Sequence, residues 1–143
     1  MYWASAQPEE VLRETIENSL CFGLYELPTN EDDQSVGKLI GFGRGITDFT
    51  TFLYLTDVYV APQHQGRGLG AWLINCVQEV IEEMPYLRRS LLFTYDWHRS
   101  VPFYEKLMKM EVMESARPAE KHEEGKGAAA MQYKGPAFPA HLR

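Results

Sequence analysis

Cysteine is scarce. Only Cys21 and Cys76 occur in 143 residues, too few for a disulfide framework. The 4 histidines, His64, His98, His122 and His141, complete neither a CxxC nor an HExxH arrangement, so no metal site is expected. Both cysteines lie in apolar runs and read as buried thiols. Two thiols without a framework fit a reducing compartment, which makes a cytoplasmic protein the expectation. No run of ~18 apolar residues offers a membrane span. The opening residues lack a basic stretch followed by an apolar one, so no leader is read. Positive charge is also short, with 14 Lys+Arg against 20 Asp+Glu and a net charge of −6. The densest basic pair, Arg88-Arg89, is too small a patch to hold a phosphate backbone. Nucleic acid and membrane are thereby set aside as partners. What remains is ordinary: 45% hydrophobic and 24% charged residues, the balance of a soluble globular chain. Its length suits a single domain over 1–143, able to bury roughly 68–70% of its unfolded surface without a staple.

Periodicity divides the chain into alternating elements. Pro8, Glu9 and Glu10 form a favourable helix opening, and Leu12, Ile16 and Leu20 follow at a spacing of four, predicting a helix over 8–19 with an apolar stripe. Residues 20–27 and 36–46 predict a strand pair around a polar turn, the second strand weakened by 4 glycines. Phe52 to Val60 is almost continuously apolar, β-branched or aromatic, the pattern of a central strand covered on both faces. Leu69, Trp72, Leu73, Cys76, Val77, Val80, Ile81 and Met84 repeat with helical spacing, predicting a helix over 68–83 that Pro85 stops. A strand over 91–95, a helix over 99–109 and strands over 111–116 and 128–134 complete the order. The Pro-rich end, 135–143, reads as a loose tail. A hairpin group followed by alternation of strands and helices specifies an α+β domain with a mixed, mostly antiparallel sheet.

One turn carries chemistry. Gln65-Gly66-Arg67-Gly68-Leu69-Gly70-Ala71 joins the strand 52–60 to the helix 68–83. Glycines let the backbone approach a ligand closely. The unpaired N–H groups of a helix start attract anions, and Arg67 adds a cation. A pyrophosphate suits such a cradle, and the plainer alternative is a tight packing turn. The run also satisfies a GxGxxA variant of the dinucleotide fingerprint, but the chain offers one strand–helix–strand crossover rather than repeated units.

The same run resembles the acetyl-CoA-binding motif of the GNAT N-acetyltransferases, Gln/Arg-x-x-Gly-x-Gly/Ala, at Gln65, Gly68 and Gly70. Downstream, Phe103-Tyr104-Glu105-Lys106-Leu107 is similar to the FYEKLGF segment of that family. The resemblance runs over residues 8–115 in element order. The stretch around Thr47-Asp48-Phe49 and Asp57-Val58-Tyr59-Val60 is similar to a strand of small bacterial and fungal members. The resemblance implies a GNAT-like fold and acetyl-CoA as acyl donor, with pyrophosphate held by the amides of Gln65 through Ala71. It also implies a pantetheine arm along Val58, Tyr59 and Val60. The Val58 amide would polarise the thioester carbonyl, and Tyr104 would protonate the departing thiolate. The alternative for Tyr104 is a core aromatic. The acceptor implied is an amine of unspecified identity, and homodimers are common in the family.

A mostly charged amine must lose a proton before it attacks, so a base is expected. Asp57, a lone carboxylate in an apolar strand, is the first candidate, with a capping or bulge role as the alternative. Asp48, Asp96 and His98 are weaker candidates. The chain departs from the pattern in three places. Asp96-Trp97-His98-Arg99-Ser100 stands where many relatives carry an Asn, Met108-Lys109 replaces Gly-Phe, and the strand and helix that usually open the fold have no counterpart before residue 8. Tyr2 and Trp3 could still line an acceptor wall. The competing functional classes are a non-catalytic acyl-CoA-binding module and a nucleotide-binding oxidoreductase.

Overall fold

The computed structural model describes residues 5–30, 36–116 and 127–143. Tyr2, Trp3, the middle of the first turn and the charged loop before the last strand lie outside the described residues. The elements run α1 (Glu9–Glu17), β1 (Leu20–Glu26), β2 (Lys38–Thr47), β3 (Phe52–Val60), α2 (Leu69–Glu82), β4 (Arg89–Thr94), α3 (Trp97–Met108), β5 (Glu111–Ala116) and β6 (Ala128–Lys134). Among the described residues, three helices flank one six-stranded sheet in the order β1-β2-β3-β4-β6-β5. All neighbours are antiparallel except β3 and β4, which are parallel and joined through α2. No described helix is long and apolar enough to cross a membrane.

The core lies between one sheet face and α2 with α3. Leu53 and Leu55 of β3 and Leu92 of β4 meet Ile74, Val77 and Ile81 of α2 and Met108 of α3. Ile74, Val77 and Ile81 are fully buried, and each such side chain contributes about 1.5–3 kcal/mol of apolar burial. The helical spacing of α2 thus marks its core face as expected.

Several expectations are corrected. The stripe on α1 does not reach the core: α1 has no buried residue, and Val11, Leu12 and Ile16 stand 41%, 52% and 42% exposed. Polar contacts link its end to the sheet: the Cys21 thiol of β1 donates to the Ile16 carbonyl at 3.7 Å, and Arg44 of β2 donates to the Ser19 hydroxyl just after the helix at 3.0 Å. β3 is central but covered fully on one face only. Phe52 on its other face is exposed, as is neighbouring Phe93, whose ring meets Tyr54 edge-on at 6.0 Å between centroids. The apolar run there comes from aromatics that line an open face. Cys21 and Cys76 are half-buried rather than core residues.

The tail is fastened, not loose. The N–H groups of Gly135 and Ala137 donate to the carbonyls of Arg88 and Leu87. Phe138 is buried, with the charged groups of Arg89, Lys134 and Arg143 at 5.2, 5.4 and 5.9 Å from its ring centroid. A large ring that finds a pocket outweighs the Pro-rich composition around it.

Candidate active site

The site begins with a fork in the sheet. β3 and β4 pair only from Phe52–Leu55 against Arg89–Leu92. Beyond Leu55, β3 continues to Val60 with no partner on its β4 side. A bulge accompanies the parting. Phe42 pairs with Tyr59 and Arg44 with Thr56, so Asp57 and Val58 together oppose Gly43. Asp57 takes a left-handed φ of 53°, the conformation that a G1-type bulge usually gives to glycine. A bulge adds twist and turns the strand away from its neighbour, which opens the fork.

A cavity of about 640 Å³ occupies the fork, lined along β3 by Tyr54 to Val58, along β4 and its exit by Leu92 to Asp96, and by Ser100 and Tyr104 of α3. Tyr104 is positioned by its helix. Asp96 caps α3 by accepting the Arg99 N–H at 3.1 Å, and Phe103 packs edge-on against Tyr104 at 5.1 Å. Burial alone pushes the phenol up to about 12, because a phenolate in these surroundings would lose its hydration. The side chain therefore keeps its proton at every physiological pH and can donate it.

Past the end of β3 lies the glycine turn. Gly66 and Gly68 have left-handed φ values of 76° and 77°. A Cβ built on either meets nothing within 4 Å. Packing inside the protein therefore does not require glycine here; backbone conformation does, together with an open approach for a ligand. Gly68 is the N-cap of α2 and supplies no side-chain cap. The first turn of α2 thus presents N–H groups to the open side, where the helix dipole favours negative charge. Gly70 instead packs: its Cβ would sit 3.9 Å from Val60 and 4.0 Å from Phe103, so a small residue lets α2 lie close to β3 and α3.

Gln65 takes a different part from the one expected. Its own N–H donates to the Pro62 carbonyl at 3.2 Å. Its side-chain amide donates to the Val60 carbonyl at 2.8 Å. Gln65 therefore ties the loop to the end of β3. His64, buried beneath the loop, stands with Nδ1 at 3.4 Å from Arg67 Nη1. Its signal in the sequence was weak, since a lone histidine before a glycine turn has no distinctive spacing.

The candidate bases are brought together only in part. Asp57 borders the cavity but is no lone carboxylate: its Oδ2 accepts from Arg44 Nε at 2.8 Å. Arg44 was missed, because a cation among the glycines of β2 gave no hint of its partner 13 residues on. Asp96 is engaged as a helix cap and His98 is exposed. Asp48 lies at the opposite end of β3, in the β2–β3 turn. There it accepts from the Thr51 hydroxyl and from the N–H groups of Thr50, Thr51 and Phe52. Those bonds, the Thr51 hydroxyl's first, hold its carboxyl well below the usual range. Asp48 is a turn-former and leaves the list of bases. Among the described residues no group of three or more His, Cys, Asp or Glu could hold a metal ion.

A mixed sheet forked beside a parallel pair, with an uncapped glycine helix start at the fork and a phenol inside it, defines an acyltransferase class of fold. The model of the acetyltransferase (GNAT) family matches residues 2–110, and the chain belongs to that family. A Gibberella zeae protein classed as an acetyltransferase is 39% identical over 105 residues, covering 67% of this chain and 59% of that one. A solved GNAT-family protein of Xanthomonas campestris is 35% identical with a TM-score of 0.55, over 71% of this chain and 65% of that one. A GNAT acetyltransferase of Elizabethkingia anophelis, solved with acetyl-CoA bound, shares the fold at a TM-score of 0.61 and 11% identity, over 89% of this chain and 83% of that one. The chain thus spans less than two thirds of the length of the first two relatives.

Proposed function

We propose that this chain is an acetyl-CoA-dependent N-acetyltransferase that moves an acetyl group to a primary amine by direct attack on the thioester. One observation carries the reading: two left-handed glycines open onto free space at an uncapped helix start that follows β3, the strand that walls the cavity lined by Tyr104. The amides of Gly66 through Ala71 would hold the pyrophosphate, with Arg67 beside them, and Val58 to Val60 would border the pantetheine arm. When bound, acetyl-CoA supplies an activated acyl group. The Val58 amide supports polarisation of its carbonyl, and a preorganised donor of this kind is worth on the order of 10²–10³ in kcat. Tyr104 holds the proton that the departing thiolate needs. A neutral amine is required at the start, and that proton leaves through Asp57 or through water in the cavity. Asp57 has one oxygen committed to Arg44, which favours the water route. The acidic balance of the chain favours cationic acceptors through steering, and two free thiols fit a reducing compartment such as the cytoplasm.

Calorimetric titration with acetyl-CoA tests the cradle. Micromolar binding is expected for the native chain, and its loss in Gly68→Glu, where both the left-handed φ and the added carboxylate oppose the ligand. A folded native chain that does not bind overturns the assignment. The non-catalytic alternative shares this cradle and differs at Tyr104, as the Discussion argues.

A further inference from the structure

We infer that the Arg44–Asp57 ion pair is the device that holds the β3 bulge in its left-handed conformation, making Arg44 and Asp57 positioning residues for the Val58 amide. The inference rests on the acyl-transfer reading above and deepens it.

Asp57 has a Cβ in a backbone region that disfavours one, and aspartate is tolerated there chiefly when its side chain finds a partner. Its partner is already fixed: Arg44 lies on the strand paired to β3, opposite Thr56, the residue just before the bulge. The contact is short, Nε to Oδ2 at 2.8 Å, and well covered, with the two side chains 16% and 25% exposed. Such a partly desolvated pair is screened far less than a surface one. Arg44 is itself held from a third side, since its Nη1 donates to Ser19 Oγ at 3.0 Å, at the joint between α1 and β1. A single guanidinium thus spans the outer hairpin, β2 and the bulge. Its neighbour across the β1–β2 pair is Cys21, whose thiol is pushed up by burial, with Arg44 acting in the opposite sense. The thiol stays neutral and does not compete with Asp57 for the cation.

The bulge has consequences for the site. An extra residue shifts by one the alternation of groups pointing to either side of a strand. Val58 sits within it, beyond the last β3–β4 pair and on the cavity wall. If the bulge flattened, the register of Val58 to Val60 would slip and the amide would no longer face the fork. Glycine at position 57 would adopt the same φ without help from any partner.

The test uses acetyl-CoA labelled with ¹³C at the thioester carbonyl, bound to the full chain without an acceptor. Infrared difference spectra report the carbonyl band, and calorimetry reports Kd. In the native complex the band should lie below its free-solution frequency. In Arg44→Gln, at acetyl-CoA concentrations that calorimetry shows to saturate the variant, it should return to the free value. In Arg44→Gln/Asp57→Gly it should shift down again, because glycine holds the bulge unaided. Should Arg44→Gln fail to fold, Arg44→Lys, which keeps the charge and loses the Nε donor, is compared with its own Asp57→Gly double variant in the same way. A band already at the free value in the native complex, an unmoved band in the Arg44 variant, or no recovery in the double variant would each overturn the inference. A native chain that binds no acetyl-CoA overturns the acyl-transfer reading itself, which distinguishes the two failures.

Discussion

At the scale of single residues, Tyr104 carries the most consequence. It lies on the apolar side of α3 and is partly buried, so the side chain proposed to protonate the thiolate is also a packing residue. Tyr104→Phe removes one oxygen and leaves the ring, and is expected to lower kcat at least tenfold while the affinity for acetyl-CoA stays within a factor of about two. An unchanged kcat would assign thiolate protonation elsewhere, and a chain that binds yet turns over no amine even with Tyr104 in place would favour the non-catalytic module. The raised phenol also predicts a pH dependence of stability. Between pH 10 and pH 12 the unfolded chain releases a proton that the folded chain keeps. The stabilisation associated with Tyr104 is therefore complete below pH 10 and is lost as pH rises through about 12, an effect of up to roughly 2 kcal/mol. Denaturant unfolding of the native chain and Tyr104→Phe at pH 8, 10 and 11.5 measures it: the difference between them should be constant at the lower values and shift against the native chain at the highest. Position 57 shows the limit of reading residues singly. A carboxylate in an apolar strand is equally a base and a bulge anchor until its partner is known, and that partner is set by strand pairing.

At the scale of elements, the exit of α3 offers a clean test. Lys109 takes a left-handed φ of 53° at the helix C-cap, where glycine is the usual occupant. Its Nζ also meets Glu82 Oε1 at 3.2 Å, but both groups are well exposed, and such a pair is worth little. Lys109→Gly should therefore stabilise the fold by about 0.5 kcal/mol, since relief of the left-handed strain exceeds the entropy cost of glycine. Thermal unfolding reads this directly, and a lowered midpoint would mean that the Glu82 contact matters more than the backbone. Elements were the most legible level of this protein. The sequence placed β3 over Phe52–Val60 and β6 over Ala128–Lys134, and α2 within a residue at each end, because long apolar repeats bounded by Pro or Gly leave little choice. The start of α3 was harder. Pro102 inside the helix argues locally for a later beginning, and the Asp96 cap overrides it.

For the whole molecule, closure depends on the C-terminal segment. Phe138 is buried, and a Cβ on Gly135 would collide with the Leu87 carbonyl. Phe138→Ala should cost about 3 kcal/mol, the usual scale for emptying a buried aromatic site. In a chain of this size that is on the order of 10 °C in the midpoint, measurable by circular dichroism; a shift of a degree or two would return the segment to a loose tail. Other apolar surface is not covered in this way. The α1 stripe and the aromatics Phe52, Phe93 and Tyr95 stand exposed, so neither face of α1 is required by the core. The helical spacing of Leu12 and Ile16 does specify a helix, but burial is a property of neighbours, and no neighbour is visible in a local pattern.

The glycine turn, the tyrosine segment, the element order and the family were determined by the sequence alone, because each depends on residues close together along the chain: backbone freedom at Gly66 and Gly68, and apolar spacing along α2. The tertiary structure decided which groups meet. Arg44 reaches Asp57 across a strand pair, Gln65 turns inward to Val60 and Asp48 closes a turn. β3 parts from β4 at a bulge that no composition announces. Those facts follow from strand register and side-chain direction, which are fixed only when distant segments pack.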